Sequence, residues 1–148
     1  MLNFAALNFF IMARILFTAL LMMVCSFCGV NAQTVRNGSN VSIGSIGSDG
    51  TVRNSSNMYI GKISSNGDIR DGGSRYLGKI ESDGTVRDKS NTYIGKIESG
   101  GTVRNRSNSY IGKVESDGTV RDSSNRAIGS AKGVPTRWAA VFFFFDFF

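Results

Sequence analysis

Histidine is absent from the 148 residues, proline occurs once and cysteine only twice. Without histidine there is no Ser-His-Asp triad and no imidazole ligand for zinc. Both cysteines, Cys25 and Cys28, stand near the start of the chain, so the rest has no thiol chemistry and no means of forming a disulfide. A residue content of 41% hydrophobic and 19% charged, with 18 glycines, is neither collagen-like nor that of a disordered chain, and the length allows one ordinary domain.

What is present begins with an export signal. Arg14 precedes the apolar run Ile15–Val24, and small or polar residues follow, ending in Val30-Asn31-Ala32 before Gln33. Positive charge, short apolar stretch and Val-x-Ala end are the layout of a secretory signal peptide over residues 1–32, with 12–32 its core. Residues 1–11 read as an extension upstream of Met12. A spanning helix needs about 20 apolar residues, and Ser26, Gly29 and Asn31 end this run early. Val24 and Phe27 precede the two cysteines where a lipidation motif wants a small residue. The expectation is cleavage after Ala32 and a periplasmic or extracellular location. Cleavage removes one basic residue, Arg14, and none of the 11 acids, so the mature chain keeps a net charge of about +5.

A repeat governs the remainder. Val-Arg, once Ile-Arg, recurs at Val35-Arg36, Val52-Arg53, Ile69-Arg70, Val86-Arg87, Val103-Arg104 and Val120-Arg121, always 17 residues apart. Gly44, Gly61, Gly78, Gly95, Gly112 and Gly129 keep the same step. The repeats occupy residues 33–132 and a Phe-rich segment occupies 133–148. Helical-hairpin repeats and propeller blades need units about twice as long or longer, so the unit reads as two short strands and two turns. The first turn carries Asp49-Gly50, Asn66-Gly67, Asp83-Gly84, Gly100-Gly101 or Asp117-Gly118, dipeptides suited to a two-residue type I′ hairpin. The second opens with Asn or Asp (Asn37, Asn54, Asp71, Asp88, Asn105, Asp122), whose side chain can bond the backbone two residues on. It usually closes with an Asn able to adopt the left-handed conformation. Between the turns lie Thr-Val-Arg and Tyr-Ile-Gly-Lys-Ile, rich in β-branched and aromatic residues.

One hairpin is marginal in water, so the copies must pool their apolar residues in a ring or stack around a shared core. Strict alternation puts Tyr93, Gly95 and Ile97 on one face and Ile94 with Lys96 on the other, leaving the choice of core face open. The repeated glycine points to a bulge or a close approach. Tyr59, Tyr76, Tyr93 and Tyr110 share one position that is Ser42 in the first copy and Ala127 in the last, the mark of end copies. Five hairpins form around the Asp-Gly-type turns, and the leftover Thr34–Asn37 and 127–131 strands can pair to close a ring. The motif Ser-Asp-Gly-Thr-Val-Arg-(Asn/Asp)-x-Ser-Asn-x-Tyr-Ile-Gly-Lys-Ile resembles the repeat of secreted Bacteroidetes proteins known as five-fold β-flower proteins. The resemblance implies an all-β fold of β-hairpin petals around a central axis, and it implies no particular activity.

The end of the chain is of another kind. Beyond Pro135 come the only tryptophan, Trp138, and a run from Val141 to Phe148 broken only by Asp146. This run is too short for a helical span. Two readings stand: a plug or lid packed on the ring, leaning towards a short helix, or an exposed patch for a membrane, envelope component or partner. Catalytic types are sparse. Glu81, Glu98 and Glu115 share one repeat position and read as solvated surface charges, not as a glycosidase pair. The turns lack the alternating acids of calcium loops, so no metal, cofactor or enzymatic activity is expected. One constellation remains: Arg36, Arg53, Arg70, Arg87, Arg104 and Arg121 would form a ring near one rim, able to bind a polyanionic glycan or lipid phosphate. The competing reading has each arginine bonded to a turn, a tyrosine or a neighbouring Glu. Nucleic acid is disfavoured for an exported chain. A non-enzymatic structural or binding scaffold is the expected class.

Overall fold

A computed structural model describes residues 31–148. The expected signal peptide, with Cys25 and Cys28, lies outside these residues apart from Asn31 and Ala32. Each repeat is built by its turns. In the Asp-Gly turns Gly50, Gly67, Gly84, Gly101 and Gly118 take φ of 82–89°, while the residue before each glycine stays at negative φ. The Gly67 N–H donates to the Ser64 carbonyl at 2.9 Å and the Ser64 N–H to the Asp68 carbonyl at 2.8 Å. This is a three-residue loop, a type I turn followed by a left-handed glycine, and it corrects the expected type I′ turn. The aspartate reinforces this loop without dictating it: Asp83 accepts the Thr85 N–H at 2.9 Å and the Thr85 hydroxyl at 2.9 Å, while the Gly100-Gly101 turn takes the same form without an Asp. The other turn matches its sequence signature. Asn54 accepts the Ser56 and Met58 N–H groups, both at 3.0 Å, and Asn57 closes at φ 62°.

The turns define twelve short antiparallel strands: β1 (Ala32–Asn37), β2 (Ser42–Gly47), β3 (Thr51–Asn54), β4 (Tyr59–Ile63), β5 (Asp68–Asp71), β6 (Tyr76–Ile80), β7 (Thr85–Asp88), β8 (Tyr93–Ile97), β9 (Thr102–Asn105), β10 (Tyr110–Val114), β11 (Thr119–Asp122) and β12 (Ala127–Ser130). Each pairs with its sequence neighbours, and β1 pairs with β12 through Arg36↔Ser130 and Asn37↔Gly129, closing the barrel. Five hairpins around Asp-Gly-type turns are therefore continuous, and the sixth is assembled from the two ends of the repeat region. Closure leaves no free sheet edge.

Core and surface are separated by a bulge. Val86 pairs with Gly95, but Arg87 pairs with Tyr93, so Ile94 is the extra residue. The alternation expected from sequence therefore breaks at this point. Gly95 and Ile97 face inward, Tyr93 and Lys96 face outward, and Ile94 is half-buried against the core. Two layers of inward side chains result. Val35, Val52, Ile69, Val86, Val103 and Val120 are fully buried, and Ile46, Ile63, Ile80, Ile97, Val114 and Ala131 form the second layer.

The chain then turns at Gly133 and enters α1 (Thr136–Phe144) behind Pro135. Arg137 donates to the Ser82 carbonyl at 2.9 Å, fixing the helix start at the Asp-Gly rim. Ala139, Ala140 and Val141 are buried on every side, so the helix runs inside the barrel and not over its mouth. At the far rim each tail phenylalanine meets one repeat glycine: Phe142 faces Gly44, Phe143 Gly129, Phe144 Gly112, Phe145 Gly95, Phe147 Gly78 and Phe148 Gly61. A Cβ at Gly95 would come within 2.8 Å of the Phe145 ring and still closer to the Arg104 carbonyl, so only glycine fits there. Among the described residues no helix is long and apolar enough to cross a membrane.

Candidate functional site: the outer cationic belt

With the interior filled by valine, isoleucine and the tail, the groups able to do chemistry lie on the outer wall. The bulge turns each Val-Arg arginine outward, and a turn carbonyl anchors it. Nη1 donates to the Asn40, Asn57, Ser74, Asn91, Asn108 and Asn125 carbonyls at 2.9–3.2 Å from Arg36, Arg53, Arg70, Arg87, Arg104 and Arg121 respectively. All six candidate arginines therefore share one fixed pose around the wall. Tyr59, Tyr76, Tyr93 and Tyr110 stand opposite Arg53, Arg70, Arg87 and Arg104, and Arg70 lies over the Tyr76 ring at 5.9 Å. On the other side Lys62, Lys79, Lys96 and Lys113 stand opposite Arg70, Arg87, Arg104 and Arg121. Like charges directly opposite on a sheet repel, so this belt needs counter-charge.

The counter-charge is unevenly supplied. Arg87 donates its Nε–H to Glu81 at 2.9 Å, Arg104 donates to Glu98 at 2.7 Å, and Arg121 lies 3.8 Å from Glu115. Three of the arginines thus follow the surface-pairing reading. The position six residues before the arginine is Val30, Gly47 and Ser64 in the first three repeats. Arg36, Arg53 and Arg70 accordingly have no carboxylate partner among the described residues. All 11 acidic residues of the chain lie beyond residue 48, so residues 1–30 hold none to offer them.

The aspartates are committed to the turns. Bonds from Thr51, Thr85 and Thr119 hold Asp49, Asp83 and Asp117 below the usual carboxylate range, and bonds from Arg75, Thr92 and Arg126 do the same for Asp71, Asp88 and Asp122. They stay ionised and serve as hydrogen-bond acceptors, not as proton donors.

Three of the concavities among the described residues bear on function. One, of about 300 Å³, lies at the β1–β12 seam and is lined by Thr34, Arg36, Asn40, Ser130 and Lys132. Another, about 380 Å³ at the Asp-Gly rim, brings Trp138 and Arg137 beside Glu81 and the 64–67 turn. The third, about 490 Å³, sets Leu77, Ile94, Phe144, Phe145 and Phe147 beside the charged Asp88, Lys89 and Asp146. Sequence reasoning named Arg36 but missed Thr34, Asn40, Ser130 and Lys132, because ring closure is what brings them together. Lys132 carries its own signal: it stands 17 residues after Glu115, where the three preceding copies have Glu.

No curated protein and no solved structure matches this chain. Residues 32–147 match the family model described as 5-fold beta-flower protein, a span that takes in all twelve strands and the internal helix. With the hairpin repeats closed about one axis, this match places the chain in the 5-fold beta-flower protein family.

Proposed function

We propose that this chain is exported after cleavage at Ala32 and acts as a non-enzymatic scaffold that binds acidic partners through its outer wall. The observation that supports this is the run of three adjacent repeats in which Arg36, Arg53 and Arg70 are held in the pose of their Glu-paired counterparts without a carboxylate. A cation fixed by a turn carbonyl and lacking an anion is pre-organised for one supplied from outside. The ligand class is a polyanionic glycan or another acidic envelope component, and nothing in this reading calls for a cofactor.

The test is retention on immobilised polygalacturonate, with neutral agarose as the control. The full mature chain should be retained at low salt and released as salt rises. The double variant Arg53→Gln, Arg70→Gln should elute earlier. Passage of the wild-type chain through the acidic matrix without delay would refute the reading. Intact mass of the exported protein tests the export half: the chain should begin at Gln33.

A second reading rests on exposed apolar side chains. Val41 and Met58 are 57% and 60% exposed, and Phe148, packed against Gly61, is 38% exposed. These side chains suit contact with a membrane surface or an apolar envelope partner. Sedimentation with neutral phosphatidylcholine vesicles in high salt would favour this reading over the cationic belt.

A further inference from the structure

The six arginine positions of the belt form an internal series in which the same guanidinium meets three different neighbours. In repeats ending at Arg87, Arg104 and Arg121 it meets a glutamate. Arg53 and Arg70 have Gly47 and Ser64 at that place. At the seam, β12 stands to β1 as β6 stands to β7, since Arg36 pairs with Ser130 as Arg87 pairs with Lys79. The residue two beyond Ser130 is Lys132, as the residue two beyond Lys79 is Glu81. Ring closure therefore replaces the carboxylate with an ammonium at this one joint. Arg36 and Lys132 converge on one concavity of about 300 Å³, with the Thr34 and Ser130 hydroxyls and Asn40 completing its lining.

Two cations sharing a small concavity repel unless an anion lies between them. The glutamates of the other repeats show which group this arginine pose accepts: a carboxylate on Nε at 2.7–2.9 Å. Every lining residue is polar, and two of them contribute hydroxyls. Such a surface suits a hydroxyl-rich ligand better than a peptide, whose recognition draws on apolar anchors.

From this series we infer that the β1–β12 seam is a binding site for one carboxylate-bearing sugar unit of an acidic glycan. The carboxylate takes the place of the missing glutamate between Arg36 and Lys132, and sugar hydroxyls bond Thr34, Ser130 and Asn40. The inference rests on reading the outer wall as an acidic-ligand surface, and it narrows that reading to one joint of the ring.

The experiment is calorimetric titration of the full mature chain with trigalacturonate, alongside a neutral trisaccharide and an acetylated tri-glutamate peptide. Trigalacturonate should bind at one site per chain, and the neutral sugar should not. Lys132→Glu rebuilds the ion pair of the other repeats at an exposed position, so the variant should fold normally. It should lose affinity by roughly tenfold or more, the size of one charge-assisted contact. Arg36→Gln, checked for folding by its melting temperature, should do the same. Unchanged binding by Lys132→Glu would overturn the seam site. If that variant is also still retained on polygalacturonate, the outer-wall reading survives without the seam. Absence of any titration by wild type would overturn the site as well, and equal binding of the peptide would overturn the sugar assignment.

Discussion

The wall and the plug of this barrel are written in opposite styles. The wall uses one 17-residue sentence six times, with the same turns, the same inward Val and Ile and the same glycine. The plug uses thirteen residues with no repeat, yet its phenylalanines address the six glycines one by one. A rotationally repeated wall thus leaves six equivalent notches, and a helix running into an extended end fills all of them by varying direction, not sequence. The wall supplies the strand pairing and the inward valines and isoleucines, and the plug supplies the aromatic rings packed against them. The difference teaches where stability resides: the short strands each pair locally, but the shared interior is completed only by the last residues of the chain.

Removing residues 136–148 should have the largest effect on this division of labour. A fully buried Phe is worth about 1.5–3 kcal/mol, and one buried ring, four half-buried rings and Val141 together are a large share of the ~5–15 kcal/mol of an ordinary domain. Circular dichroism and solubility should show an unfolded or aggregating chain. A truncated protein that stays soluble and melts as before would mean that the wall stands alone.

Single substitutions sharpen the comparison. Phe145→Ala should cost about 3–5 kcal/mol by chemical denaturation, because that ring is buried against Gly95. Phe148→Ala, at an exposed ring, should cost under about 1 kcal/mol. Gly95→Ala should destabilise by about 1–3 kcal/mol, since its Cβ meets both Phe145 and a backbone carbonyl. Combined with Phe145→Ala it should be non-additive, and combined with Phe148→Ala additive. Additivity in both would break the notch-by-notch pairing.

On the wall, Asp83→Ala removes two bonds to Thr85 and should lower the melting temperature less than any of the plug substitutions, without altering the plug. The smallest effect concerns pH. Six turn aspartates are held below their ordinary range, so protons bind more readily to the unfolded chain than to the folded one. Their contribution is complete above about pH 5 and fades as pH falls below the unfolded value of about 3.9. Melting temperature should be level from neutrality to about pH 5 and decline below pH 4. Asp83→Ala should flatten that decline.

Much of this was legible in the chain. The unbroken period gave the strands, the turn positions and the pairing of the outer repeats into a ring. The type I′ expectation failed because the dipeptide alone does not set the length of the loop: three residues lie between the paired strand ends, and only the glycine takes positive φ. The choice of face was hidden by the bulge at Ile94 and its counterparts, which cancels simple alternation. The plug's path was hidden because phenylalanine runs have no periodicity to read. Six tail phenylalanines against six repeat glycines were nevertheless a matching count available beforehand. In the belt, the arginines were evident, but the lysine at the seam gains meaning only once β12 lies beside β1.

Ring closure has a further bearing on how the molecule is made. Every other joint in the wall links segments adjacent along the chain, while the β1–β12 joint and the plug need the whole repeat region in place. Before that moment the chain is an open horseshoe with two unsatisfied edges that are complementary to each other. If β12 of one copy meets β1 of the next before its own, the same bonds that seal a single ring extend a head-to-tail polymer. The tail acts against this outcome as a keystone: by filling the axis of its own ring, it holds the two edges of one chain within reach of each other.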